Sequence, residues 1–360
     1  MSANKEVIEM DEKQARKLTI LRSIIQDYIQ TAEPIGSRTI AKKYDLGISA
    51  ATIRNEMSDL EEMGFLLQPH TSAGRIPSQK AYRLYVDELM DKSDLSEELK
   101  NEIRKSYQDH IEEMDKAIKH TANVISRLTS YTSVVSLPQM EALNFKHVQL
   151  IPIVDEKVIM VVVTKENIVK HYEFKLSRKV NDGELQKMSN ILNHVVKDKS
   201  FKNVGVGLSK KIDSLTMEEN TMLQEIVMVF KEILLEESDN KVYSNGITNI
   251  LDYPEFNDVV KAKEFLKLLE KKNKIADILT KVSTGDLNVV IGSENIVQAF
   301  RDCTLITATY RLEGETIGSI GVVGPVRMNY EHVISVMDFL GQELNKQLND
   351  ERAEGDENGR

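Results

Sequence analysis

Apolar residues recur at three- and four-residue steps near the start of the chain and predict a helix. Within residues 17–31, the residues that share one helical face are Leu18, Leu21, Ile25, Tyr28 and Ile29. Pro34 ends this helix, because the residue before a proline is pushed out of the helical region. The stretch therefore predicts one amphipathic helix that packs on a core through a single face.

Two more helices, with a turn between them, follow in the pattern. The segment RTIAKKYDL, residues 38–46, predicts a short helix, and Gly47 supplies a turn. Ser49 can cap the next helix, AATIRNEMSDLEEMG, in which Ile53 and Met57 share the buried face. Two helices joined by a tight turn are typical of a helix-turn-helix unit.

A hairpin is predicted directly after the third helix. The short segment FLLQ and the pair Arg75-Ile76 flank the loop PHTSAG, and two short strands around a glycine-containing loop indicate a β-hairpin. The segment AYRLYVDEL beyond it is again helical in pattern. The order helix, helix, turn, helix, hairpin predicts an N-terminal winged helix-turn-helix domain over residues 1–91.

Apolar residues continue at helical steps through residues 95–128. A run of this length exceeds a typical globular helix. The pattern therefore predicts a long connecting helix over residues 92–135 that packs on another domain or another subunit.

Strands and helices share the rest of the chain. Strands are predicted in FKHVQLIPIV, KVIMVVVT and IVKHYEFKL, helices around residues 182–198, 215–236 and 259–279, and strands again in LNVVIG, CTLITATYRL and TIGSIGVVGP before a last helix. Strands on both sides of a helical middle predict an α/β domain in two segments, residues 136–180 and 258–349. The largely helical insertion is placed at residues 181–257, and the polar residues 350–360 predict a disordered tail. The fold class is α+β.

Charge is distributed unevenly along the chain. The formal net charge of the 360 residues is −10, which by itself argues against a polyanionic partner. Residues 13–86, however, contain 11 Lys and Arg against 7 Asp and Glu, a local charge of +4. The first twelve residues carry −3 and those after residue 86 carry −11. A basic N-terminal domain in an acidic chain is compatible with nucleic-acid binding.

Composition favours a reducing compartment. Cys303 is the single cysteine, so no internal disulfide can form. The first residues, MSANKEVIEMDEKQ, are too polar for a secretory signal, and the longest apolar run, VIMVVV, is only as long as a strand. We therefore expect a cytoplasmic protein with no membrane partner.

The surface of the third predicted helix carries candidate DNA-reading chemistry. Ile53 points into the core, and steps of about 100° per residue define the face opposite to it and the flanks of that face. The candidate residues there and at the cap are Ser49, Ala51, Thr52, Arg54, Asn55 and Ser58. In a major groove about 12 Å wide, Asn pairs with adenine and Arg with guanine. An ordinary solvated helix face remains the alternative at this point.

The second helix and the hairpin loop supply further candidates. Basic side chains here can bind phosphates, and a hairpin tip can reach the minor groove. Ala73-Gly74 is expected to allow close backbone approach and a positive φ. The candidate set comprises Arg38, Lys42, Lys43, His70, Thr71, Ser72, Gly74 and Arg75. A plain surface turn is the alternative, because TSAGR is also a good turn sequence.

No combination of residues predicts an enzyme. The seven histidines show no metal-ligand spacing, and Cys303 has no cysteine partner. The glycines of GSIGVVGP lack the order of a dinucleotide-binding loop. We expect no catalytic residue, no metal site and no cofactor.

Several motifs resemble the HrcA family of bacterial heat-inducible transcription repressors. They are EPIGSRTIAKKYDLGISAATIRNEMSDLEEMGFLLQPHTSAGRIPS, AYRLYVDEL, VVIGSEN and DCTLITATYRLEGETIGSIGVVGPVRMNYEHVI. In order, they span most of the chain. One departure is Ala81, at a position where the family often has glycine.

The resemblance implies a repressor of heat-shock chaperone operons. It implies binding to a double-stranded palindromic operator, CIRCE, as a homodimer, with activity tuned by the GroE chaperonin. It also implies that the α/β domain is GAF-like and that the insertion is a dimerisation domain. Two other functions stay open: a repressor controlled by a small-molecule ligand in the GAF-like domain, and an oligomeric scaffold whose winged helix contacts only protein.

Overall fold

The computed structural model combines helices with two larger β-sheets and one small hairpin. It describes residues 2–70, 73–91, 94–108, 114–136, 145–165, 169–196, 217–239, 242–283, 285–312 and 315–357. The fold is therefore of the mixed α and β class that the sequence predicts.

Three helices open the chain and pack around one core. They are α1 (Ser2–Thr31), α2 (Ser37–Lys43) and α3 (Ala50–Glu62). Ile24, Ile40 and Ile53, one from each helix, are fully buried in this core. α1 begins well before the predicted residue 17, and Pro34 follows its end as predicted. Gly47, in the turn between α2 and α3, has the positive φ that the turn requires.

α3 leads directly into the predicted hairpin. Gly64, with φ +79°, ends the helix in the left-handed conformation that glycine tolerates. Strands β1 (Leu66–Leu67) and β2 (Ile76–Pro77) then pair antiparallel, which confirms the hairpin. Helix α4 (Gln79–Leu84) follows and continues through a π-helical turn, Tyr85–Leu89. Residues 2–91 are called the N-terminal module below.

The predicted single connecting helix over residues 92–135 is wrong. The chain instead forms α5 (Glu97–Gln108) and α6 (Met114–Thr129) and then strand β3 (Thr132–Ser136). Arg127 Nη2 lies 3.3 Å from Glu102 Oε1. In one straight helix these residues would be about 38 Å apart, at 1.5 Å per residue. The two helices therefore pack side by side, which a periodic pattern alone cannot distinguish from one long helix.

A separate unit of three strands and two helices follows β3. Strands β4 (Phe145–Pro152), β5 (Lys157–Thr164) and β6 (Val169–Lys175) form an antiparallel sheet in chain order. Helices α7 (Asp182–Val196) and α8 (Met217–Asp239) complete the unit. Its core, which includes Phe145, Met160, Leu192 and Phe230, is distinct from those of the other units. These elements are called the insertion unit.

The insertion unit begins earlier than the predicted residue 181. Among the described residues, β4, β5 and β6 pair only with one another, so they do not belong to the larger sheet. Strand β7 (Val242–Asn245), which lies inside the predicted insertion at residues 181–257, pairs with β3 of the larger sheet. Alternating polar and apolar residues identify a strand but not the sheet that contains it.

The larger sheet has five strands in the order β7-β3-β10-β9-β8, all antiparallel. The last three strands are β8 (Leu287–Ile291), β9 (Cys303–Leu312) and β10 (Glu315–Pro325). Helices α9 (Val259–Glu270) and α10 (Lys272–Val282) cover one face, while α6 and α11 (Tyr330–Glu357) cover the other. Together these elements are called the sheet unit.

Two details at the end of the chain differ from the sequence-based expectation. The predicted helix around residues 259–279 is divided into α9 and α10 at Lys271, whose backbone is not helical. α11 extends to Glu357, so most of the predicted disordered tail, residues 350–360, is helical. Several residues of that tail are Glu, Arg and Ala, which are strong helix formers.

Candidate nucleic-acid interface

One face of α3 is exposed, and it is the face that the sequence predicted. Ala51, Arg54, Asn55 and Ser58 are exposed, whereas Ile53 on the opposite side is fully buried. The exposed residues are small at the helix start and carry hydrogen-bonding groups further along. Arg and Asn side chains on such a face can reach the edges of base pairs.

The first turn of α3 is fixed by a side-chain cap. Ser49 Oγ accepts a hydrogen bond from the backbone N–H of Thr52 at 3.1 Å and lies 3.0 Å from Thr52 Oγ1. The cap satisfies one of the backbone donors that every helix leaves unpaired at its start. Ser49 and Thr52 therefore help to position the helix, and Thr52 is only half-exposed.

The basic residues of α2 have different environments. Arg38 and Lys42 are exposed, and within the residues that the structure describes neither makes an ion pair. Lys43 Nζ instead lies 2.5 Å from Oδ1 of the buried Asp27, which also accepts a hydrogen bond from the Tyr44 hydroxyl at 2.8 Å. Burial, followed by this hydrogen bond, raises the pKa of Tyr44 to about 12. Lys43 thus holds α2 on α1.

The hairpin loop is attached closely to the segment between α1 and α2. The N–H of Ile35 donates to the Arg75 carbonyl, and the N–H of Arg75 donates to the Ile35 carbonyl, both at 2.9 Å. A Cβ on Gly74 would stand 2.4 Å from the Ile35 carbonyl oxygen, so this position requires glycine. The expected positive φ at Ala73-Gly74 is wrong, because Gly74 serves a close backbone approach instead.

Two of the predicted hairpin-tip residues, Thr71 and Ser72, lie outside the described residues. His70 is exposed beside them. The tip therefore contributes one described candidate side chain to the surface next to α3.

Arg75 is not a free cation. Its Nε donates to Glu61 Oε2 at 2.8 Å, and its side chain is 20% exposed. Glu61 lies on α3, so this ion pair ties the hairpin to that helix. A direct phosphate contact through this guanidinium would compete with Glu61.

A group of ion pairs around a buried glutamate on the other side of α3 was not predicted from the sequence. Glu56 is 6% exposed, and its Oε1 accepts from Arg16 Nη2 at 2.7 Å. Lys17 donates to Asp59 at 2.6 Å, and that hydrogen bond lowers the pKa of Asp59. Helical spacing could have predicted the burial of Glu56, because it lies three residues after Ile53 and therefore on the buried face of the helix.

These pairings reduce the number of cations in the N-terminal module that are free to bind an anion. Arg16, Lys17, Lys43 and Arg75 are each neutralised by a carboxylate. In the part of the chain that the structure describes, Arg38, Lys42 and Arg54 on α2 and α3 keep exposed charges without an ion-pair partner. Lys13 on α1 and Lys80 on α4 are also exposed and form no ion pair there. A polyanion would therefore be attracted to the face that carries Asn55.

Other kinds of site find little support among the described residues. No group of three His, Cys, Asp or Glu side chains is placed to hold a metal ion. No described helix is long and apolar enough to cross a bilayer. Burial raises the pKa of the Cys303 thiol well above its ordinary value, which makes it a poor nucleophile.

One cleft of about 650 Å³ lies between the N-terminal module, α5 and the sheet unit. Both charges line it, for example Lys100 and Asp338, together with apolar side chains such as Leu95 and Phe339. It is large enough for a small organic molecule.

Comparisons with known proteins agree with one another. The family profile described as "HrcA protein C terminal domain" matches residues 115–334. A protein of Clostridium tetani named heat-inducible transcription repressor HrcA is 43% identical over 350 residues, which cover 96% of this chain and 97% of that protein. A protein of the same name from Ruminiclostridium cellulolyticum is 42% identical over 337 residues, 92% of this chain and 97% of that protein.

One solved structure supports the fold. It is described as a crystal structure of a hypothetical protein at 2.2 Å resolution, and it matches 93% of this chain and 98% of its own with a TM-score of 0.69. The sequence identity is 24%, so this likeness bears on the fold alone.

Proposed function

The chain belongs to the HrcA family of heat-inducible transcription repressors, which are not enzymes, and from this premise we propose how it recognises its operator. The predicted domain of residues 1–91, which contains the N-terminal module, acts as a winged helix-turn-helix. α3 is its recognition helix and the hairpin is its wing. The operator is a palindromic CIRCE-type element ahead of heat-shock chaperone genes.

The observation that carries this proposal is the exposed face of α3 beside the unpaired cations of α2. Asn55 and Arg54 are placed to pair with bases, with Ala51 and Ser58 allowing close approach to the groove. Arg38 and Lys42 are placed to bind phosphates on the flanking backbone.

A palindromic operator is matched most simply by two copies of the chain. We therefore propose a homodimer, with one N-terminal module for each half-site. The insertion unit supplies the dimer contact. Its exposed apolar side chains, including Val169, Met217 and Met228, are available for such a contact.

The sheet unit is proposed to be GAF-like, with an antiparallel sheet covered by helices on both faces. The GroE chaperonin is proposed to tune the amount of active repressor. Family membership supports both assignments, and a repressor of chaperone genes that itself needs the chaperonin would couple their synthesis to demand.

The test is a binding titration with a palindromic duplex and with the same duplex after one half-site is scrambled. We expect two chains per palindromic duplex by light scattering, and a loss of affinity when one half-site is scrambled. A complex with one chain per duplex, or equal affinity for both duplexes, would rule out the dimeric mode. No preference for the operator together with no dependence on salt would favour a protein scaffold instead.

The cleft between the N-terminal module and the sheet unit favours one second candidate. A ligand bound there could control the repressor by changing how the two parts contact each other. Such a ligand would raise the melting temperature of the purified protein in a concentration-dependent way. A screen in which no metabolite shifts the melting temperature would leave the chaperonin as the proposed control.

A further inference from the structure

The segment VVIGSEN, residues 289–295, lies far along the chain from α3 but contacts the N-terminal module directly. Arg83 of α4 donates from Nε to Glu294 Oε1 at 2.9 Å and from Nη2 to the Val289 carbonyl at 2.6 Å. Nη2 also lies 2.5 Å from Glu294 Oε2. Both oxygens of one carboxylate and a backbone carbonyl thus hold a single guanidinium. The segment is called the docking loop below.

A second side chain of α4 fits into the same loop. Gln79 Oε1 accepts the backbone N–H of Ser293 at 2.8 Å. Gly292 adopts a φ of +54°, and a Cβ at this position would stand 2.3 Å from Gln79 Cδ. The backbone conformation at Gly292 favours glycine, and a Cβ there would also displace the end of the Gln79 side chain.

The docking loop is internally fixed before α4 is considered. The buried Asn295 amide nitrogen lies 3.0 Å from the Gly292 carbonyl, 2.9 Å from that of Phe300 and 3.0 Å from that of Cys303. Glu294 Oε2 also accepts the backbone N–H of Ile291 at 2.8 Å. A loop held in this way can orient a partner element without reorganising.

Contacts beyond the loop continue the same interface. The Tyr85 hydroxyl donates to Glu331 Oε1 at 2.6 Å, and the Tyr82 ring centroid lies 5.8 Å from that of Tyr330. The N-terminal module therefore rests on the sheet unit along the length of α4, with the docking loop at one end.

We propose that the docking loop sets the orientation of the N-terminal module and thereby the half-site spacing that the dimer accepts. Glu294 and Gly292 are positioning residues, because they act through Arg83 and Gln79 and not through DNA. The inference rests on the proposed dimeric operator binding. Half-sites of one palindrome lie about 34–36 Å apart or at multiples of this distance, so two loosely tethered modules would match them less well than two fixed ones.

Glu294→Gln is the first test, because it keeps the shape of the side chain and an acceptor for the Ile291 N–H. Removing a negative charge from an acidic protein should leave DNA binding unchanged or strengthen it on electrostatic grounds alone. The proposal predicts the opposite change, a loss of operator affinity of about 3- to 10-fold. Asp286→Asn is the matched control, since Asp286 pairs with Arg311 within the sheet unit at 2.8 Å.

Gly292→Ala tests the same loop without any change of charge. Gly285→Ala is its control, because Gly285 also has a positive φ, +91°, but a Cβ at that position would meet no atom within 4 Å. Both variants strain the backbone, and only Gly292→Ala displaces Gln79. We expect Gly292→Ala, and not Gly285→Ala, to reproduce the loss of operator affinity.

Two readouts separate the possible outcomes. Inserting base pairs between the half-sites should lower the operator affinity of the wild type strongly. The same insertions should lower the affinity of Glu294→Gln and Gly292→Ala only weakly. In the absence of DNA, the backbone amides of residues 79–89 should exchange hydrogen faster in these two variants than in their controls. If the wild type shows no preference for half-site spacing, the proposal of dimeric operator binding is wrong. The hydrogen-exchange data would still test whether the docking loop holds α4. If both variants match their controls in exchange and in spacing preference, the docking-loop proposal is wrong.

Discussion

Gly74→Ala tests how the hairpin is attached beside α3. The added Cβ would stand 2.4 Å from the carbonyl oxygen of Ile35, 2.5 Å from its carbonyl carbon and 2.9 Å from its nitrogen. All three atoms belong to the backbone, so no side chain can rotate away. The hairpin must therefore move away from the segment between α1 and α2.

The magnitude follows from the contacts that this movement breaks. The pair of backbone hydrogen bonds between Ile35 and Arg75, both at 2.9 Å, cannot persist. At about 0.5–1.5 kcal/mol for each bond, the local free energy of opening falls by about 1–3 kcal/mol. That corresponds to roughly 5- to 150-fold faster hydrogen exchange at these two amides, if exchange follows local opening.

The assay is hydrogen exchange on the full chain, followed by operator titration. Gly36→Ala is the matched control, because Gly36 has a φ of −95° and a Cβ there would find its nearest atom, Thr39 Oγ1, at 3.9 Å. We expect faster exchange and weaker operator binding for Gly74→Ala only. Unchanged exchange at Ile35 and Arg75 would refute the reasoning, since the clash would then be absorbed without opening the hairpin.

Four further predictions follow from the same structure. Ser49→Ala removes the cap of α3 and should destabilise the N-terminal module by about 0.5–2 kcal/mol in chemical unfolding; an unchanged midpoint would show that the cap contributes nothing. Arg75→Ala should weaken operator binding without flattening its salt dependence, because Glu61 already neutralises this charge, and a slope reduced by about one unit would show a phosphate contact instead. Burial raises the pKa of Glu294, but hydrogen bonds from Arg83 and from a backbone amide outweigh it and lower that pKa below its ordinary value. A lowered pKa means that the ionised carboxylate stabilises the folded protein above the ordinary pKa near 4.5, and that this stabilisation is lost as the pH falls through the folded-state pKa. Hydrogen exchange in α4, corrected for intrinsic rates, should therefore accelerate only in that acid range. Purified repressor should lose operator binding over a modest temperature rise and regain it with GroE and ATP at constant repressor concentration, whereas recovery with a metabolite alone would favour ligand control.

The face of α3 could be predicted from the sequence because helical periodicity is a local property. Once Ile53 points inward, the directions of Asn55 and Ser58 are fixed by geometry, and the structure places both on the exposed side. The hairpin was predictable for the same reason. Short strands and their turn lie within a few residues of one another.

Pairing between distant residues could not be predicted from the pattern. A charge count treats Lys42 and Lys43 alike, yet only Lys43 meets the buried Asp27, sixteen residues away. Likewise, the strand pattern of β4 does not reveal that it pairs with β5 in a sheet separate from β3. Such partners are determined by tertiary packing, which cannot be recognised in the pattern of a single sequence.

The central claim is that α3 reads base pairs while α2 binds the DNA backbone. It is tested most directly by titrating Asn55→Ala and Lys42→Ala against operator and random duplexes over a range of salt concentrations. We predict that Asn55→Ala loses about 1–3 kcal/mol of binding free energy with the operator only and keeps the wild-type salt slope. Lys42→Ala should weaken binding to both duplexes and flatten the slope by about one unit. Equal losses for the two variants on operator and random DNA would contradict the assignment.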